Sequence, residues 1–502
     1  MALDPAKKNR DGRVRKYNAL FAAQNGSLVP PANLPYPFFI KTLLPNYREF
    51  DDSRYFFSLP ELAQEMGKKP ADLLSPLTLY LQGKAYTIGA LLCEDGWSED
   101  YNLSPLRILE NQAPLNFVVN LSSSPYTLGK NEKRHRLFGR EAAAFHVPIF
   151  YVNHVGVQNN GKTVYTFDGS STVYDRQGQI RAAAPAYQEA LLTISPEILA
   201  VLSSAAPAET ESLFQALSYG LRHFMDALSL KRVVIGLSGG IDSAVAAALC
   251  VHVLGPENVL LLNLPSRFNS AATKDLAARL AKNLGCRYAV LPIQASVELT
   301  IRQIETTPIK NLAAGKSETL AVSAFMAENI QARDRSSRLL AAAAAAFDGV
   351  FTCNANKTET TVGYSTLYGD QAGFFAPLAD LWKYQIYDLA RYLNDCIYQW
   401  EVIPPEIIAL PPSAELSAKQ NVDRGQGDPL HYPYHDYLFR AFVERWQKAT
   451  PEDILTWYAA GTLEKEIGCA PGLVKQYFLT PADFIADLER WWTLFTGLAV
   501  AK

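Results

Sequence analysis

The chain of 502 residues is poor in cysteine: six thiols are scattered along it, with no CxxC pair and no His/Cys cluster. That excludes a structural zinc site of the usual spacing and points to a reducing compartment, so a cytoplasmic location is expected. No run of about 18 or more uncharged apolar residues occurs, which excludes a membrane-spanning helix. Charge of one sign is also missing. A formal net charge of -3 gives no electrostatic case for nucleic acid. The basic opening stretch MALDPAKKNRDGRVRK has no apolar core, so it reads as a solvated tail rather than a signal peptide. Internal repeats are absent.

What is present falls into two halves, as the length suggests. Residues 1–195 are rich in short β-branched and aromatic runs bounded by Gly, Asn and Asp: AYTIGALLCEDGW, LNFVVNLSSS, VPIFYVNHVGV and TVYTFDGSSTVYDRQGQI, the last with a hairpin turn at Asp175–Gly178. Residues 196–210 read as a linker into a helix near Ser212–Leu228. From 211 to 502, strands alternate with alanine- and leucine-rich helical stretches, the pattern of a parallel α/β sheet. KNLAAGKSETLAVS and NVDRGQGDPLHYP read as polar loops able to act as lids. Ala341–Phe347 is expected to be a buried helix of small side chains.

The most informative stretch is VVIGLSGGIDSAVAAALC, Val233–Cys250. Val233–Leu237 has the composition of a buried parallel strand. Gly239 and Gly240 permit unusual backbone angles and let amides approach an anion with no Cβ in the way. The next helix turns its N-terminus toward the same place, a ready phosphate site. Gly236, Leu237, Ser238, Gly239, Gly240, Ile241, Asp242 and Ser243 are therefore candidates to hold a polyphosphate. Asp242 is positioned to hold magnesium against it. No Gly-Lys-Ser/Thr follows, so this is not a Walker A loop.

LSGGIDSAV resembles the pyrophosphate loop of ATP pyrophosphatases, which implies a Rossmann-like doubly wound sheet and an adenylated intermediate. LPSRFNS, AENIQARDR, NKTETTVGYSTLYGDQAGFFAPLADLWK and PPSAEL, in that order, narrow the resemblance to the NAD⁺ synthetases. The resemblance implies ATP and deamido-NAD⁺ as substrates and Mg²⁺ as cofactor. It places Asn354, Lys383 and Ser413 on the ATP side. Asn329, Glu359, Tyr364, Ser365, Thr366 and Leu367 would contact deamido-NAD⁺, and Asp242 and Glu359 would ligate the metal. Read alone, Lys383 is a surface lysine on an amphipathic helix. Two features depart from the family: Asn354 stands where a threonine is usual, and a basic Tyr-Lys-Arg segment near the family's C-terminus has no counterpart.

The first half resembles the nitrilase-like glutaminase of glutamine-dependent NAD⁺ synthetases in KTLLPNYREFDDSRYF, LLCEDGW, NLSSSPYTLGK and FDGSSTVYDRQG. That implies an αββα sandwich and a Glu-Lys-Cys triad. Cys93, ending a strand at a sharp turn, would be the nucleophile. Lys41 would steady the oxyanion and lower the thiol pKa. Tyr47, Ser124 and Lys130 match glutamine-holding positions. Read alone, Cys93 is an inert buried thiol. The triad's glutamate belongs to a first β-α unit well before Lys41, yet no glutamate precedes Glu49, so this half is expected to lack its opening unit. Asp52 falls where relatives often have a second, supporting glutamate. The implied activity is glutamine-dependent amidation of deamido-NAD⁺ in a homo-oligomer. Two alternatives stay open: an ammonia-dependent synthetase with an inactive glutaminase half, and a non-catalytic binding or assembly remnant.

Overall fold

The computed structural model describes residues 1–9, 11–47, 50–160, 163–194, 207–420 and 422–498. Most of the expected linker, 196–206, lies outside them, as does Glu49. The chain divides into two compact units, Met1–Gly220 and Leu221–Lys502. The helix expected near Ser212–Leu228 runs over Glu209–Ala227.

The first unit is built round a six-stranded sheet: β1 (Leu77–Leu81), β2 (Lys84–Leu92), β3 (Phe117–Ser122), β4 (Ile149–Asn153), β5 (Thr172–Tyr174) and β6 (Ile180–Ala183), in the order β6-β5-β4-β3-β2-β1. Outside it the opening stretch is no solvated tail, since Ala2–Lys8 pairs antiparallel with Val14–Tyr17 and buries Ala2 and Tyr17. The central pairs β2-β3 and β3-β4 are parallel and the outer pairs antiparallel. Alternation along each strand sorts side chains between two faces. Leu91, Val118, Ile149 and Tyr151 pack with Leu106, Leu109, Leu137, Phe138 and Ala142 from two helices. Ile88, Leu92, Phe117 and Val119 point the other way, onto Leu20, Phe39 and Leu77.

The second unit has four parallel strands: β7 (Val233–Gly236), β8 (Val259–Asn263), β9 (Arg287–Val290) and β10 (Val350–Phe351), in the order β9-β8-β7-β10. Helices cover both faces, so the inner strands read as unbroken apolar runs; Val233, Val234 and Ile235 have no exposed surface. On one face Val234 and Leu262 meet Ile293, Val297, Leu340 and Ala344. Helix α1 (Ile241–Leu254) is buried at all but two of its 14 positions and stops at Gly255. Helix α2 (Ala271–Leu284) follows β8. Helix α3 (Ala324–Arg333) continues through a π-helical segment, Asp334–Leu340, into Ala341–Ala346. This alanine run is not the buried helix expected from the sequence: only Ala344 is buried, and the run lies against β10 and β7. Helix α4 (Lys383–Tyr392) then packs with the C-terminal helices around Trp382, Tyr434, Phe439 and Trp491. Of the two expected lids, the first contains an exposed pair of short strands, Ile309–Asn311 and Lys316–Glu318. The α/β class expected from the sequence holds in both units.

Candidate active sites

The turn after β7 is the floor of a cavity of about 280 Å³ in the second unit. Gly239 has φ +91, and a Cβ there would collide with the carbonyl oxygen of Thr273. Only glycine meets both demands. Substitution Gly239→Ala is expected to weaken ATP binding at least about thirtyfold, because the turn must shift to accept the methyl group; titration calorimetry reads this directly. The serines brace the turn itself. Ser243 donates its hydroxyl to the Gly240 carbonyl (3.0 Å) and accepts from the Ser238 amide (3.2 Å), while the Gly240 amide donates to Ser238 Oγ (3.2 Å). Ser238 and Ser243, both candidates to hold a polyphosphate, use their hydroxyls within the turn.

Above the turn lies a buried charge cluster. The Lys383 ammonium is 2.5 Å from Asp242 Oδ2 and 3.4 Å from Glu359 Oε1, with 2% of its side chain exposed. Lys383 is therefore no surface lysine. Burial disfavours its charge, but the two carboxylates outweigh that and hold its pKa above the ordinary value. Glu359 is shifted upward, by burial first, against the pull of Lys383. Asn356 orients both acids: its Nδ2 donates to Asp242 Oδ1 (2.9 Å) and its Oδ1 accepts from the Glu359 amide (3.0 Å). Asp436, buried, accepts from Thr358 Oγ1 (2.5 Å) and the Tyr384 amide (2.8 Å), which fixes the start of α4. Two hard oxygen donors converging on one cation fit Mg²⁺, whose remaining ligands would come from phosphate and water. Among the described residues no group of three or more His, Cys, Asp or Glu side chains could hold a metal.

The same cavity is lined by Asn354, Glu359, Tyr364 and Ser413. Asn354 braces the ends of the strands: Nδ2 donates to the Gly236 carbonyl (3.2 Å) and Oδ1 accepts from Thr352 Oγ1 (2.8 Å). Ser413 donates to the Gln420 carbonyl (2.7 Å). Asn329, Ser365, Thr366 and Leu367 do not line this cavity. Asn329 and Thr366 bond each other instead, Thr366 Oγ1 donating to Asn329 Oδ1 at 2.8 Å. Sequence reasoning missed Asn269, Arg335, Asp370, Glu415 and Asp428, all of which line the cavity. Asp428 accepts from the Tyr364 and Tyr432 hydroxyls, both at 3.0 Å, and from the Ala414 amide at 3.0 Å. No local spacing signals these contacts.

In the first unit, β2 ends at Leu92 and the chain turns sharply through Cys93, whose φ of +48 is rare for a non-glycine residue. Lys41 is buried, with Nζ 2.6 Å from Asp52 Oδ2. Burial opposes its charge, but Cys93 and Asp52 together hold the ammonium above its ordinary pKa. Asp95, also missed from the sequence, joins the two segments. Its carboxylate accepts from the Thr42 (2.9 Å), Leu43 (2.8 Å) and Leu92 (3.2 Å) amides. The expected glutamine-holding residues have other partners. Tyr47 donates to Glu94 (3.0 Å), Lys130 to the Pro125 carbonyl (3.1 Å), and Ser124 is buried, its amide on Asn153 Oδ1 (2.9 Å). A second cavity, of about 250 Å³, is lined by Ser123, Pro125, Phe50 and Phe167 but by none of those three residues.

The Cys93 thiol feels the expected pull of Lys41 and a stronger opposing effect. Lys41 does pull its pKa down, but the packing round the sulfur pushes it up more, with Glu94 adding to the rise. The net shift is upward. Since thiolate is the reactive form and a free thiol titrates near about 8.5, alkylation of Cys93 by iodoacetamide is expected to climb about tenfold per pH unit from pH 7 to 8.5 without a plateau. Lys41→Met removes the largest of three downward pulls, leaving those of Lys130 and the Ser123 amide, and should slow the reaction further at pH 8. Peptide mass spectrometry reads both, with the exposed Cys396 as internal reference.

Residues 213–462 match the NAD synthase family. A glutamine-dependent NAD(+) synthetase from Synechocystis is 34% identical over 459 residues, covering 89% of this chain and 74% of the relative. One from Xylella fastidiosa is 33% identical, over 84% of this chain and 72% of the relative. Among solved structures, the glutamine-dependent NAD+ synthetase of Acinetobacter baumannii, in complex with ADP, matches with TM-score 0.64 and 27% identity, over 92% of this chain and 76% of that one. A glycine-rich strand-to-helix turn beneath a buried lysine, and a cysteine at a strained strand end beside a buried lysine, sit in one chain at that level of similarity: the chain belongs to the glutamine-dependent NAD⁺ synthetase family.

Proposed function

We propose that this protein makes NAD⁺ from deamido-NAD⁺, ATP and ammonia, the ammonia being released from glutamine in the first unit. The observation that carries the reading is the buried Lys383 ammonium, seated between Asp242 and Glu359 beside the phosphate turn. The nicotinate carboxylate attacks the α-phosphorus of ATP, the bond to the β-phosphate breaks, and pyrophosphate leaves. Ammonia then attacks the acyl carbon of the adenylate and AMP departs, with one proton lost. Both reacting groups of the first step are anionic. The amides between Leu237 and Ala244 take the polyphosphate, and the Lys383 charge offsets the repulsion. When bound, Mg²⁺ supplies further charge neutralisation, held by Asp242 and Glu359. Tyr364, Ser365, Thr366, Leu367 and Asn329 are assigned to deamido-NAD⁺, and Asn354 and Ser413 to ATP. That the Acinetobacter baumannii relative is described with ADP supports nucleotide occupancy.

In the first unit, the Cys93 sulfur attacks the side-chain amide carbon of glutamine while Lys41 steadies the oxyanion; the C–N bond breaks, ammonia leaves carrying the thiol proton, and water then cleaves the thioester to glutamate and restores the thiol. Tyr47, Ser124 and Lys130 are assigned to glutamine. A cytoplasmic homo-oligomer is the expected assembly. The residue spans 1–195 and 211–502 are proposed as the glutaminase and synthetase domains.

One observation favours the second reading, an ammonia-dependent synthetase. Among the described residues, the carboxylates next to Cys93 and Lys41 are committed: Asp52 to Lys41, Glu94 to Tyr47 and Tyr101, Asp95 to backbone amides. The test measures pyrophosphate release by the purified chain with ATP and deamido-NAD⁺, using glutamine or ammonium chloride. Release that requires both substrates supports the reading, and the nitrogen source that sustains it separates the two versions. No release with either source overturns both.

A further inference from the structure

A residue outside every assignment above joins the parts of the nucleotide cavity. Glu415 is 3% exposed and has φ +47, a conformation that a glutamate adopts only when its surroundings impose it. Its carboxylate accepts three hydrogen bonds from the far side of the cavity: the Ser270 amide (3.1 Å), Asn269 Nδ2 (3.1 Å) and Thr273 Oγ1 (2.8 Å). Each partner extends the connection. The Thr273 carbonyl is the surface against which Gly239 of the phosphate turn is packed. Asn269 Oδ1 accepts from Arg335 Nη2 (3.2 Å), and Arg335 Nε donates to the Leu264 carbonyl at the end of β8 (3.0 Å). The next residue along, Leu416, is tied to α3, where Gln331 Nε2 donates to its carbonyl at 2.9 Å. The Glu415 amide donates to Ser413 Oγ at 3.3 Å.

A carboxylate at the start of α2 would read, alone, as a helix cap. This one comes from more than 140 residues away, through a residue in the left-handed region whose own amide reaches Ser413 and whose neighbour Leu416 holds α3. We infer that Glu415 is the positioning residue for the nucleotide: it clamps the Pro411–Leu416 segment onto Asn269–Thr273 and so fixes the distance between that segment and the phosphate turn. The clamp touches neither reacting centre directly. Its loss is felt in how ATP is held rather than in the chemistry once ATP is seated.

This inference deepens the proposed synthetase reading and rests on it. The test uses the full chain with ammonium chloride as nitrogen source and compares Glu415→Gln, Glu415→Asp and Thr273→Val with the parent. Glutamine at 415 presents an amide NH₂ to a site where the Ser270 amide and Asn269 Nδ2 can only donate, leaving the Thr273 hydroxyl as the one partner able to accept. It is expected to raise KM for ATP at least about tenfold while kcat and KM for deamido-NAD⁺ stay within about threefold. Aspartate, a carboxylate one methylene shorter, should fall between the two, and Thr273→Val should raise KM for ATP about threefold. A uniform loss of activity with unchanged KM values, or an ATP KM within twofold of the parent in Glu415→Gln, overturns the inference. If Glu415→Gln does not fold, Thr273→Val and Asn269→Ala answer the same question. If the parent itself releases no pyrophosphate, the synthetase reading fails, and ATP affinity of the same variants by calorimetry still decides whether the clamp exists.

Discussion

Replacing Lys383 by methionine is expected to lower ATP-dependent pyrophosphate release at least about a thousandfold, with the fold intact. The side chain is 2% exposed and its ammonium lies 2.5 Å from Asp242 and 3.4 Å from Glu359, over the Tyr432 ring at 4.8 Å. Methionine preserves the unbranched stem and much of the packing. What disappears is the one charge between two carboxylates. Breaking a buried ion pair from one side typically costs about 3–5 kcal/mol, and here the remaining acids also repel the incoming triphosphate and carboxylate. A merely structural lysine would behave differently: the variant would lose melting temperature but keep its turnover per folded molecule. Pyrophosphate release and thermal unfolding, measured on one preparation, separate the cases. Turnover within tenfold of the parent would remove the lysine from the mechanism.

The second large effect concerns nitrogen. Cys93→Ala is expected to abolish glutamine-supported NAD⁺ formation, by at least about a thousandfold, while ammonium-supported formation stays within about twofold. The substitution removes the nucleophilic sulfur. Alanine tolerates the φ of +48 no worse than cysteine does, and the surrounding turn is held independently by Asp95 and by Asn120, whose Nδ2 donates to the Cys93 carbonyl at 3.3 Å. The parent is the essential control. A parent active only with ammonium establishes the second reading, in which the strained turn survives without its chemistry. Equal glutamine use by parent and variant would show that another nucleophile serves.

Local sequence carried the strand, turn and helix of Val233–Leu254, because buried strand composition, paired glycines and a helix start lie within a few residues of one another. Cys93 at the end of β2 was legible for a similar reason: LLCEDGW breaks an apolar run with turn formers. Contacts across the fold were not. Glu415 meets Asn269 from 146 residues away, and no periodicity records which side chain a loop will reach. Asp95 reads as an ordinary turn acid until its three backbone donors are seen. The alanine run shows the opposite failure: small side chains allow close burial but do not require it, so composition alone misjudged Ala341–Ala346. The downward pull of Lys41 on Cys93 was legible, but the net rise was not, because charge proximity can be guessed from a motif, whereas desolvation depends on the whole packed environment.

The π-helical segment Asp334–Leu340 carries a consequence for comparing relatives. A wider turn accommodates an additional residue, so side chains beyond it are rotated by roughly 100° from where uninterrupted α-helical counting would put them. Deleting one residue within this segment would swing Arg335 or Leu340 off its present bearing, sending the guanidinium away from Leu264 or the leucine out from under the sheet. Here, then, a gap one residue wide would be a change of active-site geometry disguised as a change of length.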